Sequence, residues 1–430
     1  MLQGLAVAVA AFARTRWWSR QLRSRADIER HQDRRLQRLL ERCGREFPFY
    51  SGLRATGLAD LPVMDKTRLL AHFPELNRPG LDLAEIRAAL ARGDERIAGH
   101  VVGQSTGTSG NRGYYVITEL ERYEWLGTLL AKALPDALWR RHRVALALPG
   151  LSRLYRSASS GSRIVLGFFD LAQGVDAWAP AFCEFAPDTV VGTPKVLRRL
   201  AEQGHLHARH VFSGAEVLDP LDRTVIEEAT GVRVREIYMA TEGLFGVSCP
   251  HGTLHLAEDV VHFEWQRASA DSELRIPLVT DFTRRAQAMV RYRMNDLLAL
   301  APGPCPCGSP LQPVRSIEGR QDDVFWLQAP GGWRLVTPDV VRNAIVDASP
   351  AIRDFRAVQA DAHSIEVALP PDLPAGVDAA VVQALRGRLA PFGAGDLRLT
   401  VVRGIDAPMD RKLRRVRRAW TPPPGLQSQN

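Results

Sequence analysis

PDTVVGTPKVLRRLAEQGHLHARHVFSGAEVLDPLDRTVIEEATGVRVREIYMATEG, residues 187–243, decides the fold. Short apolar runs at Asp188–Val191, His210–Phe212 and Val232–Tyr238 read as strands. Between them, Pro194–Gln203 and Asp219–Thr230 read as helices. Strands alternating with helices predict an α/β core with a largely parallel sheet. Upstream, RVALAL (143–148) and RIVLGFF (163–169) add two buried strands. Residues 20–45 carry helical spacing and stop before Phe47-Pro48, and 84–93 read as a short helix. Downstream, PGPCPCGSPLQP (302–313) is a loop. After Arg320 strands restart, with a helix near 338–347 and strands near 364–369 and 397–403. The predicted division is a large domain over 1–319, with mixed sheets and helices, and a small α+β domain over 320–430.

Composition narrows the function classes. The chain has 430 residues, 45% hydrophobic and 24% charged, which is ordinary for a globular protein. No run of about 18 apolar residues occurs, so no membrane span is expected. In MLQGLAVAVAAFARTRWW the basic residues follow the apolar run, the reverse of a signal peptide. The stretch reads as the first turns of a helix packed on the body. A membrane-surface anchor through Arg14, Arg16, Trp17 and Trp18 is the sharper alternative. The net charge is +8. Lysine occurs only at Lys66, Lys132, Lys195 and Lys412, and every other basic residue is arginine. That bias makes each lysine informative. No helix-turn-helix or zinc-finger pattern accompanies the positive charge, so nucleic acid is not an expected partner. Five cysteines, Cys43, Cys183, Cys249, Cys305 and Cys307, are an odd number without a secretory signal and point to the reducing cytoplasm.

Four stretches carry chemistry. Gln104–Gly113 (QSTGTSGNRG) follows Val101-Val102 and combines glycines, hydroxyls and exposed N–H groups, which suit a phosphate. It lacks the spacing of a Walker A loop. Alone, it reads equally well as a surface turn. Tyr238–Gly243 (YMATEG) places Thr241 and Glu242 at a strand end, where a hydroxyl and a carboxylate can meet a phosphate-bound Mg²⁺. Arg291–Leu297 (RYRMNDL) brings Asp296, able to accept from both ribose hydroxyls or to pair with a nearby arginine. Gly319–Asp323 (GRQDD) sits at the domain boundary.

In order and spacing these stretches resemble the adenylate-forming superfamily, in its phenylacetate-CoA ligase/coenzyme F390 synthetase-like branch. FPFYSGL (47–53), LPVMDKTRLL (61–70), VGTPKVLRRLAE (191–202) and FSGAEVL (212–218) extend the resemblance over nearly the whole chain. It implies that Ser105, Thr106, Gly107, Thr108, Ser109 and Gly110 wrap the β- and γ-phosphates of ATP. It implies that Ser213, Gly214, Ala215 and Glu216 line the adenine pocket, with Tyr238 part of the nucleotide site. Thr241 would contact the α-phosphate, Glu242 would bind Mg²⁺, Asp296 would hold the ribose, and Arg320 would contact ribose or phosphate. Asp322 or Asp323 would be the hinge of the C-terminal domain. In DRKLRRV (410–416) Lys412 matches the family's adenylation lysine, with Arg411 where the family has glycine. The phosphate loop also departs from the pattern after Gly110, where Arg112 is the expected substitute charge. Cys249, Cys305 and Cys307 with a histidine make a structural zinc set. The branch pattern points to His255, with His251 in reserve.

The resemblance implies an enzyme: an AMP-forming acid–thiol ligase. ATP would activate a small carboxylic acid, with an aromatic one favoured, and coenzyme A would take the acyl group. A carrier-protein thiol as acceptor, AMP transfer to a group other than a carboxylate, and a non-enzymatic nucleotide- or nucleic-acid-binding scaffold stay open as alternatives. A homodimer is admitted as well. The acid pocket is expected within 125–170 and 211–248, with Phe168, Phe212 and Phe245 as lining candidates.

Overall fold

The computed structural model describes residues 2–53, 55–105, 112–148, 163–269, 272–393, 396–405 and 412–423. Helices α1 (Leu2–Gln21) and α2 (Arg25–Glu46) open the chain. Ser24 and Asp27 cap α2 reciprocally, each satisfying the other's backbone N–H. Helices α3 (Lys66–Ala71) and α4 (Leu83–Ala91) follow. Strands β1 (Arg96–Ile97), β2 (His100–Gln104) and β3 (Tyr114–Ile117) form a small antiparallel sheet, and α5 (Glu119–Ala133) leaves it.

The central sheet then begins. Its first half comprises β4 (His142–Ala147), β5 (Ile164–Phe168), β6 (Thr189–Gly192), β7 (His210–Gly214) and β8 (Val234–Ala240). These strands are parallel and lie in the order β5-β4-β6-β7-β8. Helices α6 (Val175–Phe185), α7 (Pro194–Glu202) and α8 (Pro220–Thr230) provide crossovers. Val190, Leu197, Leu200, Val211, Ile226 and Val234 are fully buried between them and the sheet. Burial on both faces explains why these strands read as apolar runs rather than as alternation.

The second half is antiparallel, which corrects the expectation of a largely parallel sheet. It contains β9 (Gly243–Ser248), β10 (Leu254–Leu256), β11 (Val261–Arg267), β12 (Arg275–Asp281), β13 (Tyr292–Arg293), β14 (Asp296–Leu300) and β15 (Pro313–Arg320). From β8 the order runs β9-β10-β15-β14-β12-β11, with β13 also on β12. The cause is local: only Thr241 and Glu242 separate β8 from β9, and a link that short can make only a hairpin.

The C-terminal part has a hairpin, β16 (Phe325–Ala329) and β17 (Gly332–Val336), then helix α9 (Pro338–Asp347). Strands β18 (Arg356–Asp361) and β19 (Ser364–Leu369), helix α10 (Val377–Leu389), and strands β20 (Arg398–Arg403) and β21 (Val416–Arg418) complete it. The four strands form a sheet of order β20-β19-β18-β21, with its own core around Phe355, Ile365, Val381 and Leu385.

The N-terminal helix packs on the body as expected. Helices α1 and α5 nearly touch at Gly127, where an added Cβ would lie 2.0 Å from the Ala8 carbonyl oxygen. Two residues offered for a lipid interface are occupied within the protein. Arg14 pairs with Glu124, and Trp18 meets the His31 ring edge-on with Arg14 and Arg35 over its face. Trp17 stays exposed. Among the described residues no helix is long and apolar enough to cross a membrane.

Candidate active site

Strands β7 and β8 deliver their C-terminal ends to one edge of the sheet, where α/β folds present ligand sites. Ser213 and Gly214 end β7, and Thr241-Glu242 form the turn after β8. Ser213, Thr241 and Glu242, together with the C-terminal segment at Lys412, line a cleft of about 1120 Å³.

The tip of the β2–β3 hairpin enters this cleft. Gln104 pairs with Tyr114, and Ser105 closes on Gly113 through a 2.8 Å backbone bond and a 2.9 Å bond from the Gly113 N–H to Ser105 Oγ. A Cβ added to Gly113 would sit 3.4 Å from Thr241 Oγ1, so the loop base lies against the Thr-Glu turn. Thr106, Gly107, Thr108, Ser109 and Gly110 lie outside the described residues, as does Asn111. Arg112, expected as the substitute charge, is exposed and is not among the described cleft-lining residues.

Thr241 Oγ1 donates to Glu242 Oε2 at 2.8 Å. Arg284 holds the turn from behind by donating to the Thr241 and Glu242 carbonyl oxygens. Tyr292, in the Arg-Tyr-Arg stretch, is hydrogen-bonded to Glu242. Burial first, and the charge of Glu242 second, hold its phenol well above the ordinary tyrosine range.

Asp296 begins β14 directly opposite Arg320 of β15, and their side chains approach to 3.7 Å. Tyr238 Oη donates to Asp296 Oδ2 at 2.8 Å. Burial raises the Asp296 carboxyl above the usual carboxylate range, while Arg320 and the Tyr238 hydrogen bond pull the other way. Asn295 donates to Asp322 at 2.6 Å, and Asp323 is buried and paired with Arg414.

Ala215 and Glu216 follow β7, and Ala215 adopts φ 66°, a left-handed conformation that a non-glycine residue rarely takes. Glu216 is buried, 3.8 Å from Lys195 Nζ, and accepts from the Leu413 N–H. Burial raises its carboxyl, and Lys195 is the main opposing charge. Lys412 is open to the water of the cleft yet ringed by protein. That desolvation, then Arg320, holds its ammonium below the usual lysine range, with Glu216, Asp296 and Glu242 partly compensating.

The structure thus brings together Ser105, Ser213, Ala215, Glu216, Tyr238, Thr241, Glu242, Asp296, Arg320 and Lys412 around one cleft. Gly214 is adjacent in the chain but is not itself a lining residue. Lys66 also lines the cleft, with Glu242, Arg320 and Asp322 as charged neighbours and its ammonium lowered by burial. It had no assigned role, although its rarity as a lysine was a usable signal. Its placement follows from Met64, which pairs with the Arg-Tyr-Arg strand through Met64 N–H to Arg291 O (3.0 Å) and Arg293 N–H to Met64 O (2.7 Å).

The aromatic lining candidates are corrected. Phe245 is fully buried in the antiparallel-half core, and Phe212 lies under the Arg235 guanidinium at 4.4 Å. Neither they nor Phe168 line the cleft; Tyr115, Ile117, Trp125, Ile237 and Met239 do. Strand alternation explains the miss: Ser213 follows Phe212 and faces the opposite side of β7. Residues 149–162 of the expected pocket window lie outside the described residues.

Away from the cleft, the ligand atoms of Cys249, His255, Cys305 and Cys307 lie within 4.8 Å of one another. Cys249 Sγ and Cys305 Sγ are 3.8 Å apart, and Cys307 Sγ is 3.3 Å from His255 Nε2. Tetrahedral zinc with zinc–sulfur bonds of about 2.3 Å requires sulfurs about 3.8 Å apart. His255 Nδ1 lies 3.0 Å from the Leu311 carbonyl oxygen, which places the proton on Nδ1 and leaves the Nε2 lone pair facing the cysteines. Burial opposes ionisation of Cys305. Hydrogen bonds from Thr253 and the Cys307 N–H, with the His255 ring alongside, outweigh it and bring the thiol down to about 6. His251 is exposed in the turn and outside the set.

No family model matches the chain. Over 160 residues, 33% of this chain, it is 27% identical to a phenylacetate-coenzyme A ligase of Pseudomonas putida. The match spans 36% of that enzyme's length. Among solved structures, 2-hydroxyisobutyryl-CoA ligase in its postadenylation state, with 2-HIB-AMP bound, superposes with TM-score 0.66 at 19% identity. That superposition covers 89% of this chain and 87% of the ligase. ATP-bound MatB from Rhodopseudomonas palustris superposes with TM-score 0.51 at 17% identity, over 70% and 63% of the two chains. The chain therefore shares the fold of these solved structures, as the sequence resemblance implied.

Competitive acetylation across pH, read by mass spectrometry, titrates each of the four lysines. Lys412 and Lys66 are expected to titrate below the ordinary lysine value of 10.5. A Lys412 titration at or above that value contradicts its placement.

Proposed function

We propose that the chain activates a carboxylic acid with ATP to an acyl- or aryl-adenylate and then transfers the acyl group to a thiol, with coenzyme A as the preferred acceptor. The observation that carries the reading is the meeting of Thr241-Glu242, the Tyr238–Asp296–Arg320 cluster and Lys412 around one cleft. These groups come from four separate stretches of sequence, and ATP activation of an acid gives each of them a task.

Asp296, held by Tyr238, receives the ribose hydroxyls; two incoming donors favour its ionised form and offset its burial. Ser213 through Glu216 flank the adenine. Ser105 faces the β- and γ-phosphates, and Thr241 faces the α-phosphate. Glu242 would hold Mg²⁺, which supplies charge neutralisation on the phosphates when bound. A carboxylate oxygen of the acid bonds to the α-phosphorus while the bond to pyrophosphate breaks. Lys412 meets the negative charge that gathers there, with Arg320 nearby. The thiol then bonds to the acyl carbon and AMP departs. Positioning and fixed charge are the main catalytic terms. The apolar lining from Ile117, Trp125, Ile237 and Met239 supports an acid with an apolar or aromatic body. The free thiols among the described cysteines support a reducing, cytoplasmic setting. We place the domain boundary at 320, where β15 ends.

Lys412→Ala is expected to lower acid-dependent exchange of pyrophosphate into ATP by about 100- to 1,000-fold while the protein melts normally. Near-normal exchange in that variant contradicts the assignment.

The four-ligand set fits zinc, and we infer a structural rather than a catalytic site, because all four positions are protein ligands and none lines the cleft. Bound zinc would fasten the 302–313 loop to the β9–β10 turn. Elemental analysis of protein purified without chelator should find about one zinc per chain, lost in Cys307→Ser together with thermal stability. Metal-free protein of undiminished stability rejects the site.

A further inference from the structure

Residues 406–411 lie outside the described residues, and the described neighbours of Lys412 in the chain are those that follow it. Leu413 donates its N–H to Glu216. Arg415 enters a buried pocket of acids. Its Nη1 meets Asp222 Oδ2 at 2.6 Å and its Nη2 meets Oδ1 at 2.8 Å. Its Nε meets Asp354 Oδ1 at 2.9 Å, and Asp219 stands 3.9 Å away. Arg415 is 8% exposed and Asp222 is 0% exposed.

The two ends of this contact belong to different parts of the chain. Asp219 caps α8 and Asp222 lies in its first turn, both on the central α/β body. Arg415 immediately precedes β21 of the C-terminal sheet, and Asp354 lies just before β18 of the same sheet. Asp222 also accepts from Arg198 of α7 at 3.1 Å, and the same Arg198 nitrogen donates to the Arg353 carbonyl oxygen at 2.9 Å. Asp222 is thus one point where the two parts are tied. The helix N-terminus stabilises its negative charge in advance. A planar guanidinium meets a carboxylate at two points, which fixes orientation as well as distance.

We propose that the Arg415–Asp222 pair is a clamp that holds the C-terminal part in the arrangement in which Lys412 faces the cleft. The inference rests on the proposed two-step reaction and concerns which residue positions its lysine. Three residues of chain span at most about 10 Å, so holding Arg415 confines Lys412 to the mouth of the cleft. Any turning of the C-terminal part away from the body would break the pair. Removing one partner leaves the other charge buried and unmatched, and so disfavours the clamped arrangement. Arg415 is assigned as a positioning residue: on the cleft wall, its guanidinium is taken up by Asp222 and Asp354. Its loss affects the step that needs Lys412 and spares the step that does not.

Asp222→Asn tests this while keeping the side-chain shape. Acid-dependent pyrophosphate exchange is expected to fall about 10- to 100-fold. Thioester formation from supplied adenylate and coenzyme A is expected to stay within about twofold of wild type. Small-angle scattering of the ligand-free variant should report a more extended molecule than wild type. Equal loss of both half-reactions, loss of neither, or unchanged scattering overturns the clamp. Arg415→Lys keeps the charge but not the two-point contact, and should give the same split with a smaller loss. If it melts with wild type and shows no split, the clamp is wrong. Absence of acid-dependent exchange in the wild type overturns the proposed reaction instead, and scattering then still decides the clamp.

Discussion

The structure depends on one change of direction. Between Ala240 and Gly243 the central sheet turns from parallel strands to antiparallel ones, with Thr241 and Glu242 as the whole of the link. The space there is tight: a Cβ on Gly243 would lie 2.8 Å from Asp281 Oδ2. A polar pair is therefore held rigidly at the sheet edge, with Arg284 bonded to its carbonyls and Tyr292 to its carboxylate. The parallel half brings Ser213–Glu216 to the same edge, and the antiparallel half brings Asp296 and Arg320. Neither half alone makes the cleft.

Charge is distributed in that cleft with a consistent sense. Burial disfavours the ionised forms of Asp296 and Glu216 and of Lys412. Arg320 opposes that tendency for the acid Asp296 and reinforces it for the lysine. A nucleotide with an anionic acid supplies what each group lacks: donors for Asp296 and negative charge for Lys412. The Arg415–Asp222 pair ties the segment that bears Lys412 to the central body.

Much of this was legible in the sequence, for identifiable reasons. The strands and helices of 187–240 were readable because parallel strands buried on both faces are unbroken apolar runs. The site residues were readable because short turns at strand ends keep their polar residues together. The antiparallel half was hidden, because its direction depends on the length of a two-residue link rather than on apolar pattern. Phe212 and Phe245 misled because aromatic character does not reveal which face of a strand a side chain occupies. Arg415 was lost among many arginines, and its partner Asp222 is 193 residues away in the chain. Lys66 could have been found, since lysine is rare here and the bridge from Met64 to the Arg-Tyr-Arg strand brings it to the cleft. The Cys/His cluster was readable as residue types, and the resemblance already favoured His255 over His251; the fold turns His255 toward the cysteines and His251 to solvent.

The central claim is that this cleft joins a carboxylic acid to AMP. The most direct measurement supplies ATP, a panel of aromatic and aliphatic acids, and hydroxylamine in place of the thiol. The account predicts that at least one acid yields its hydroxamate together with equal amounts of AMP and pyrophosphate. Release of ADP and phosphate, or no acid-dependent turnover across the panel, contradicts it.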